Sequence, residues 1–363
     1  MTVKDDGSCR RVPEPFAHRY ANSFHTIGNP GRDPLSFERI NVELETMTFG
    51  ANTTTDEVLE GIDLTGKQAL VTGASTGLGE ETARALASKG AAVTLAVRNV
   101  AKGEEVAEKI RQSTGNQNID VVQVELSVPD SVRACAANWL KTHDALNLLI
   151  NNAGVMACPL ERTVEGWEMQ IATNHFGHFL LTCLLVPALK KGAPARIVNL
   201  SSAGHRFANV DFDDLHFNHR DYDKWGSYGQ SKTANILFSV ELNKRLAASG
   251  ITANAVHPGG IQTELGRHLT PEDIAALMAR VSERGNGEFS FKTIPSGAAT
   301  SVWAATSPDL EGKGGLYLED CHIASQGTET SADGYSAYAR DEDSAARLWA
   351  LTEQTLGETF SLS

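Results

Sequence analysis

From Lys67 onward, seven short apolar runs alternate with longer stretches of helical period, and this alternation constrains the fold most. The runs are "QALVT" (68–72), "AVTLAV" (92–97), "VVQVEL" (121–126), "LNLLIN" (146–151), "RIVNLS" (196–201), "TANAVH" (252–257) and "GLYLE" (315–319). Their apolar residues are nearly continuous, so both faces of the sheet must be covered. The expectation is one doubly wound α/β domain over residues 61–363, a Rossmann-type fold with a seven-stranded parallel sheet and helices on both faces. The tail "DEDSAARLWALTEQTLGETF" adds an amphipathic helix, with Ala345, Leu348, Trp349, Leu351 and Leu356 able to share a face.

Residues 1–60 differ. They are polar, hold proline and glycine, and show neither period, so they read as a disordered or loosely attached arm. Met47 offers itself as an alternative start. The formal charge of -13 makes nucleic acid and anionic membranes poor partners. Five scattered cysteines without a C-x-x-C argue against a disulfide framework or zinc site. His175 and His178 read as packing or surface residues, so no metal is expected. The first twenty residues carry no apolar run, and "FLLTCLLVPAL" is too short to span a bilayer. A cytoplasmic protein is expected.

The first strand runs into "TGASTGLGEETARAL". Gly73, Gly77 and Gly79, with Ser75, Thr76 and Leu78 between them, form a strand-to-helix turn whose backbone N–H groups suit a pyrophosphate. The second strand ends at Arg98 and Asn99, where an NAD-selective site would carry a carboxylate. A guanidinium there suits a 2′-phosphate, and Lys102 can help from the next turn. NADP(H) is therefore preferred, with NAD(H) the alternative. Tyr228 and Lys232 stand four apart in a helical stretch, so they share a face. A neighbouring ammonium favours the phenolate, which would lower the Tyr228 pKa and fit it for acid/base work.

These motifs in this order, namely T-G-x-x-x-G-x-G, "NNAG" (151–154), "SS" (201–202), "YGQSK" (228–232) and "HPGGIQT" (257–263), resemble the short-chain dehydrogenase/reductase superfamily. The resemblance covers residues 64–357. "AVRNVAKGEEVAEKI", "NHFGHFLLT" and "SKTANILFSVEL" are most similar to its retinol-dehydrogenase and WW-domain-oxidoreductase-like branch. The resemblance implies that Tyr228 exchanges a proton with the substrate oxygen and that Lys232 binds the nicotinamide ribose. It implies that Ser202 polarises the same oxygen and that Asn174 marks a helix turn holding a relay water. Glu125, where the family often has Asp, would meet the adenine together with Leu126. Asn152, Ala153 and Gly154 would lie against the ribose, and Pro258, Gly259, Ile261 and Thr263 would frame the carboxamide.

A lid is expected over about 262–295, with Leu265, Leu269, Ile274, Leu277, Met278 and Val281 facing an apolar substrate or else packing on the sheet. The implied activity interconverts a hydrophobic alcohol and its ketone or aldehyde. A same-fold C=C reductase and a non-catalytic cofactor-binding protein are the alternatives. Relatives often pair through the helices bearing Asn174 and Tyr228 while some act as monomers, so the resemblance leaves a homodimer, a homotetramer and a monomer open.

Overall fold

The computed structural model describes residues 49–284, 290–328, 331 and 333–362, without the side chains of 280–284. The expected arm up to residue 48 and the Val281 side chain lie outside the described residues. The strands are β1 (Gln68–Thr72), β2 (Ala92–Val97), β3 (Ile119–Gln123), β4 (Leu148–Asn151), β5 (Ala195–Leu200), β6 (Ile251–His257), β7 (Tyr317–Glu319) and β8 (His322–Ile323). The helices are α1 (Thr55–Val58), α2 (Gly77–Ser88), α3 (Val100–Thr114), α4 (Pro129–Leu140), α5 (Met169–Ile171), α6 (Gly177–Lys191), α7 (Lys224–Leu246), α8 (Pro271–Arg284), α9 (Ile294–Thr306) and α10 (Glu342–Leu356).

The sheet order is β3-β2-β1-β4-β5-β6-β7-β8. The first seven strands are parallel, as the continuous apolar runs require. β1 lies between β2 and β4, so the connections leave it in opposite directions and open a crevice at the strand ends. Side chains alternate across the sheet: Ala69 and Val71 enter one apolar core, and Leu70 enters the other.

Beside the seven expected parallel strands the sheet carries a short eighth, β8, antiparallel to β7. A two-residue turn joins them, with Asp320 and Cys321 both at positive φ (48° and 57°). That is the geometry that closes a tight hairpin, here without the usual glycine signal. The expected boundary at residue 60 falls too late. Thr54 caps α1 through a reciprocal capping box with Glu57, and Thr55, Val58 and Leu59 are buried.

The central helices are held by polar caps. Asp223 accepts from the Trp225 amide at 3.0 Å at the start of α7. Asp341 caps α10, and Gly357 ends it at φ 66°. Between Met169 and Lys191 the helix is long and apolar enough to cross a membrane by composition, but 89% of its most apolar window is buried in the fold. A π turn over Ala172–Phe176 interrupts it just where Asn174 sits.

Helix α10 closes the outer core. Trp349 is 2% exposed, its ring lies 4.6 Å from that of Phe179, and the Arg245 guanidinium stacks 4.1 Å from its centre. Trp349→Ala should cost about 3–5 kcal/mol of stability in urea unfolding. A loss below ~1 kcal/mol, the scale of a surface substitution, would contradict this packing.

Candidate active site

The glycine turn after β1 is shaped by contact. Gly73 has φ +65°, and a Cβ there would lie 2.8 Å from Ala153 Cα. A Cβ on Gly79 would lie 2.4 Å from the Gly73 carbonyl oxygen, so only glycine lets the first turn of α2 seat this closely. Thr76 precedes α2 in an extended conformation without a side-chain cap, which leaves the amides of that twelve-residue helix's first turn available. Thr72, which the motif reading passed over, joins the turn to the end of β4. Its hydroxyl accepts from the Asn152 and Ala153 amides at 2.9 and 3.0 Å, while the Asn152 side chain donates to the Thr72 carbonyl at 2.8 Å.

A cavity of about 1480 Å³ runs along the strand ends. Every glycine-turn, "NAG", carboxamide-loop and catalytic residue named above except Asn174 lines it, together with Arg98, Asn99, Glu125 and Leu126. Lys102, Ala96 and Val124 stand beside them; the last two read as plain strand residues in sequence. The Arg98 side chain is 73% exposed, with Nε 3.8 Å from the Glu125 carboxylate. Asn99 also caps α3: its side-chain oxygen accepts from the Lys102 amide at 3.1 Å.

At the other end, Tyr228 and Ser202 stand side by side: a Cβ on Gly204 would meet Tyr228 Cε1 at 2.7 Å and Ser202 Oγ at 3.3 Å. Ser202 Oγ also accepts from the Gly204 amide at 3.0 Å, whereas Ser201 is buried and donates to the Lys232 carbonyl at 2.9 Å. Lys232 Nζ donates to the Leu200 carbonyl at 3.1 Å and lies 5.6 Å from the Tyr228 ring centre. The expected acidification of the phenol by Lys232 is overturned here. Burial pushes Tyr228 up to about 12, against a downward pull from Ser202, and burial pushes Lys232 down to about 8.

Asn174 is a hub below the cavity. Its side chain accepts from the Val155 amide at 2.8 Å and donates to the Val155 carbonyl and to Ser231 Oγ, both at 2.9 Å. Its own carbonyl accepts from His178 Nδ1 at 3.0 Å. Both His175 and His178 are buried, so the surface half of their reading is corrected.

The loop after β6 closes over the turn. Gly259 has φ +102°, and a Cβ there would meet Lys292 Cε at 2.7 Å. A Cβ on Gly77 would meet the Thr263 methyl at 3.3 Å, which measures how closely this loop covers the glycines. The helix at 271–284 lies within the expected lid, and Leu265, Leu269, Ile274, Leu277 and Met278 line the cavity. Met156, Phe207, Trp225 and Phe291 line it as well. Phe291 falls within the expected lid, and Phe207 and Trp225 belong to the aromatic, acidic stretch between Ser202 and Tyr228; Met156 alone of the four had no signal in the sequence. Phe207 and Trp225 meet edge to face at 5.8 Å.

The family profile described as short chain dehydrogenase matches residues 67–273. The chain is 44% identical to human retinol dehydrogenase 11 over 296 residues, covering 82% of this chain and 87% of that protein. It is 44% identical over 293 residues to a Streptomyces antibioticus protein named as a probable oxidoreductase, covering 79% and 97%. A solved Shigella flexneri short chain dehydrogenase complexed with NADP matches with a TM-score of 0.54 at 25% identity, covering 71% of this chain and 98% of that one.

The buried His175 and His178 and the half-buried His257 in the cavity wall set a pH dependence. Desolvation holds His175 and His257 down to about 3 and His178 to about 4. They stay neutral in the folded chain while the unfolded chain protonates them below about pH 6.5. Stability is therefore lost as pH falls from 6.5 toward 4, by up to about 1.4 kcal/mol per histidine per pH unit. Glu168 and Glu319, raised by burial, oppose part of this slope. Urea midpoints at pH 7, 6 and 5 should fall in that order; a rising series would contradict the buried neutral imidazoles.

Proposed function

The chain belongs to the short-chain dehydrogenase family, NAD(P)-dependent oxidoreductases acting on CH–OH and C=O groups, and from that premise we propose that it interconverts a hydrophobic alcohol and its aldehyde or ketone with NADP(H). The observation that carries this is one continuous cavity with a basic end at Arg98 and Lys102, the neighbouring Ser202 and Tyr228 side chains in its wall, and the apolar residues Leu265, Leu269, Leu277 and Met278.

The residues present fit a dinucleotide. The glycine turn is a cradle that a Cβ would fill, and the start of α2 offers amides to a pyrophosphate. Arg98 and Lys102 would hold the 2′-phosphate, with Glu125 orienting the guanidinium. Lys232 would donate to the nicotinamide ribose. When bound, the cofactor supplies the hydride.

Ser202 donates to the substrate oxygen and Tyr228 holds the proton that oxygen receives. A phenol pushed up to about 12 is protonated at neutral pH, so it is loaded to give a proton, as carbonyl reduction requires. Alcohol oxidation needs the phenolate and gains as pH rises. Phe207, Trp225 and the lid residues exclude water around the reacting carbon and suit an extended apolar substrate. The name of the human relative, a retinol dehydrogenase, supports the same class.

A panel of aliphatic, aromatic and terpenoid carbonyls with NADPH tests this reading. Tyr228→Phe should lower kcat by about a hundred- to ten-thousand-fold while NADPH binding persists. Undiminished turnover in that variant would remove Tyr228 from the chemistry. Arg98→Asp should shift preference toward NADH; equal weakening of both cofactors would show that Arg98 does not read the 2′-phosphate.

A further inference from the structure

His178 takes no part in the steps above, yet it is 1% exposed and both ring nitrogens are engaged. Nδ1 lies 3.0 Å from the Asn174 carbonyl, which can only accept, so Nδ1 carries the proton. Nε2 must then accept, and its partner at 2.9 Å is the Thr72 hydroxyl. That hydroxyl has one proton to give, and Nε2 at 2.9 Å is a nearer acceptor than the Ile150 carbonyl at 3.5 Å; giving the proton to Nε2 leaves the hydroxyl lone pairs for the Asn152 and Ala153 amides. The four contacts are mutually consistent in one tautomer only.

We propose that His178 is a positioning residue, a neutral imidazole brace that joins the cofactor-binding end of β1 to the catalytic hub at Asn174. One arm orients Thr72, and through it the two amides beside Gly73. The other arm pins the carbonyl in the π turn whose side chain holds Val155 and Ser231. Ser231 in turn donates to the Tyr228 carbonyl at 2.8 Å, so the brace reaches the catalytic helix. The nearby Lys232 ammonium opposes a second cation and, after burial, helps keep the imidazole neutral.

The proposal rests on the dinucleotide reading, and its two arms separate by substitution. An asparagine amide reaches where Nδ1 stands, and a glutamine amide reaches where Nε2 stands. His178→Asn keeps the Asn174 arm and should weaken NADPH binding about tenfold, the scale of one lost hydrogen bond, with kcat largely kept. His178→Gln keeps the Thr72 arm and should show the reverse, near-normal NADPH affinity and a kcat for decanal lowered about tenfold. His178→Phe should show both losses.

NADPH affinity is read by fluorescence titration, which needs no turnover and decides the proposal even where wild type reduces no carbonyl. Absent turnover of every carbonyl by wild type would instead sink the proposed reaction. Equal weakening of NADPH binding by Asn and Gln, or no weakening by either, overturns the brace, because a merely structural histidine would lose both properties in step with stability. Should the Phe variant not fold, the Asn and Gln pair carries the test alone.

Discussion

The carbonyl of Leu200, last residue of β5, receives two buried donors from α7: Lys232 Nζ at 3.1 Å and Asn235 Nδ2 at 2.9 Å. The rest of the site depends on that docking. Helix α7 buries 17 of its 23 residues, many of them polar. Buried polar groups are tolerable only when bonded. Ser201 donates to the Lys232 carbonyl, Thr233 donates to the Ala208 carbonyl, and Gln230 donates to the Leu215 carbonyl. A slide or rotation of the helix would orphan all of these together. The register that places Tyr228 beside Ser202 is thus fixed by hydrogen bonds more than by apolar packing. Burying the ammonium has its cost, visible as a lysine pushed down to about 8, which still leaves it mostly charged at neutral pH.

Much of this was readable beforehand. The seven parallel strands follow from apolar runs that leave no face for water, and each run overlaps its strand. The motif positions come together in one crevice because each lies at the C-terminal end of a strand or on the helix that crosses it. Other features have no local signature. β8 is two residues long behind a turn of Asp320 and Cys321, where Asp is tolerated at positive φ but Cys stands where glycine is usual. Helix α1 is a single turn, too short for a period to show, and its burial comes from α9, more than two hundred residues away. Asn99 lines the cavity as its place at the strand end suggested, and its second role as the cap of α3 had no separate signal. The Thr72–His178 contact spans 106 positions, so no spacing rule could reveal it.

The acidity of the chain and the anionic cofactor are reconciled locally. Charges farther apart than about 8 Å in physiological salt are largely screened, so the net charge of -13 matters less than the groups at the cavity rim. There Arg98 and Lys102 stand together, and Glu125 offsets the guanidinium only partly, since at 3.8 Å and with Arg98 mostly exposed the pair is weak. Such a guanidinium is free to turn its fork toward a phosphate. A carboxylate at the Arg98 position would instead face the same phosphate with like charge.

The lid and the catalytic helix are mechanically one. Lys224, first residue of α7, donates to Asp273 at 2.6 Å at the start of α8. Asp273 also accepts from the Thr270 amide and hydroxyl, so the ion pair grips the N-terminal turn of the lid rather than a loose side chain. Tyr228 lies four residues along, on the same stretch as Lys224 and one turn away. Near the end of the expected lid, Lys292 is hydrogen-bonded to Asp320 in the β7–β8 turn and donates its amide to the Gly260 carbonyl at 2.9 Å. Both ends of the segment are thus tied to elements that also carry Tyr228 or the 257–263 loop, so a rearrangement of α8 would be felt at Tyr228 through Lys224 and at that loop through Lys292. The apolar lining residues Leu265, Leu269, Leu277 and Met278 let an uncharged, extended substrate contribute to such a rearrangement by burial alone.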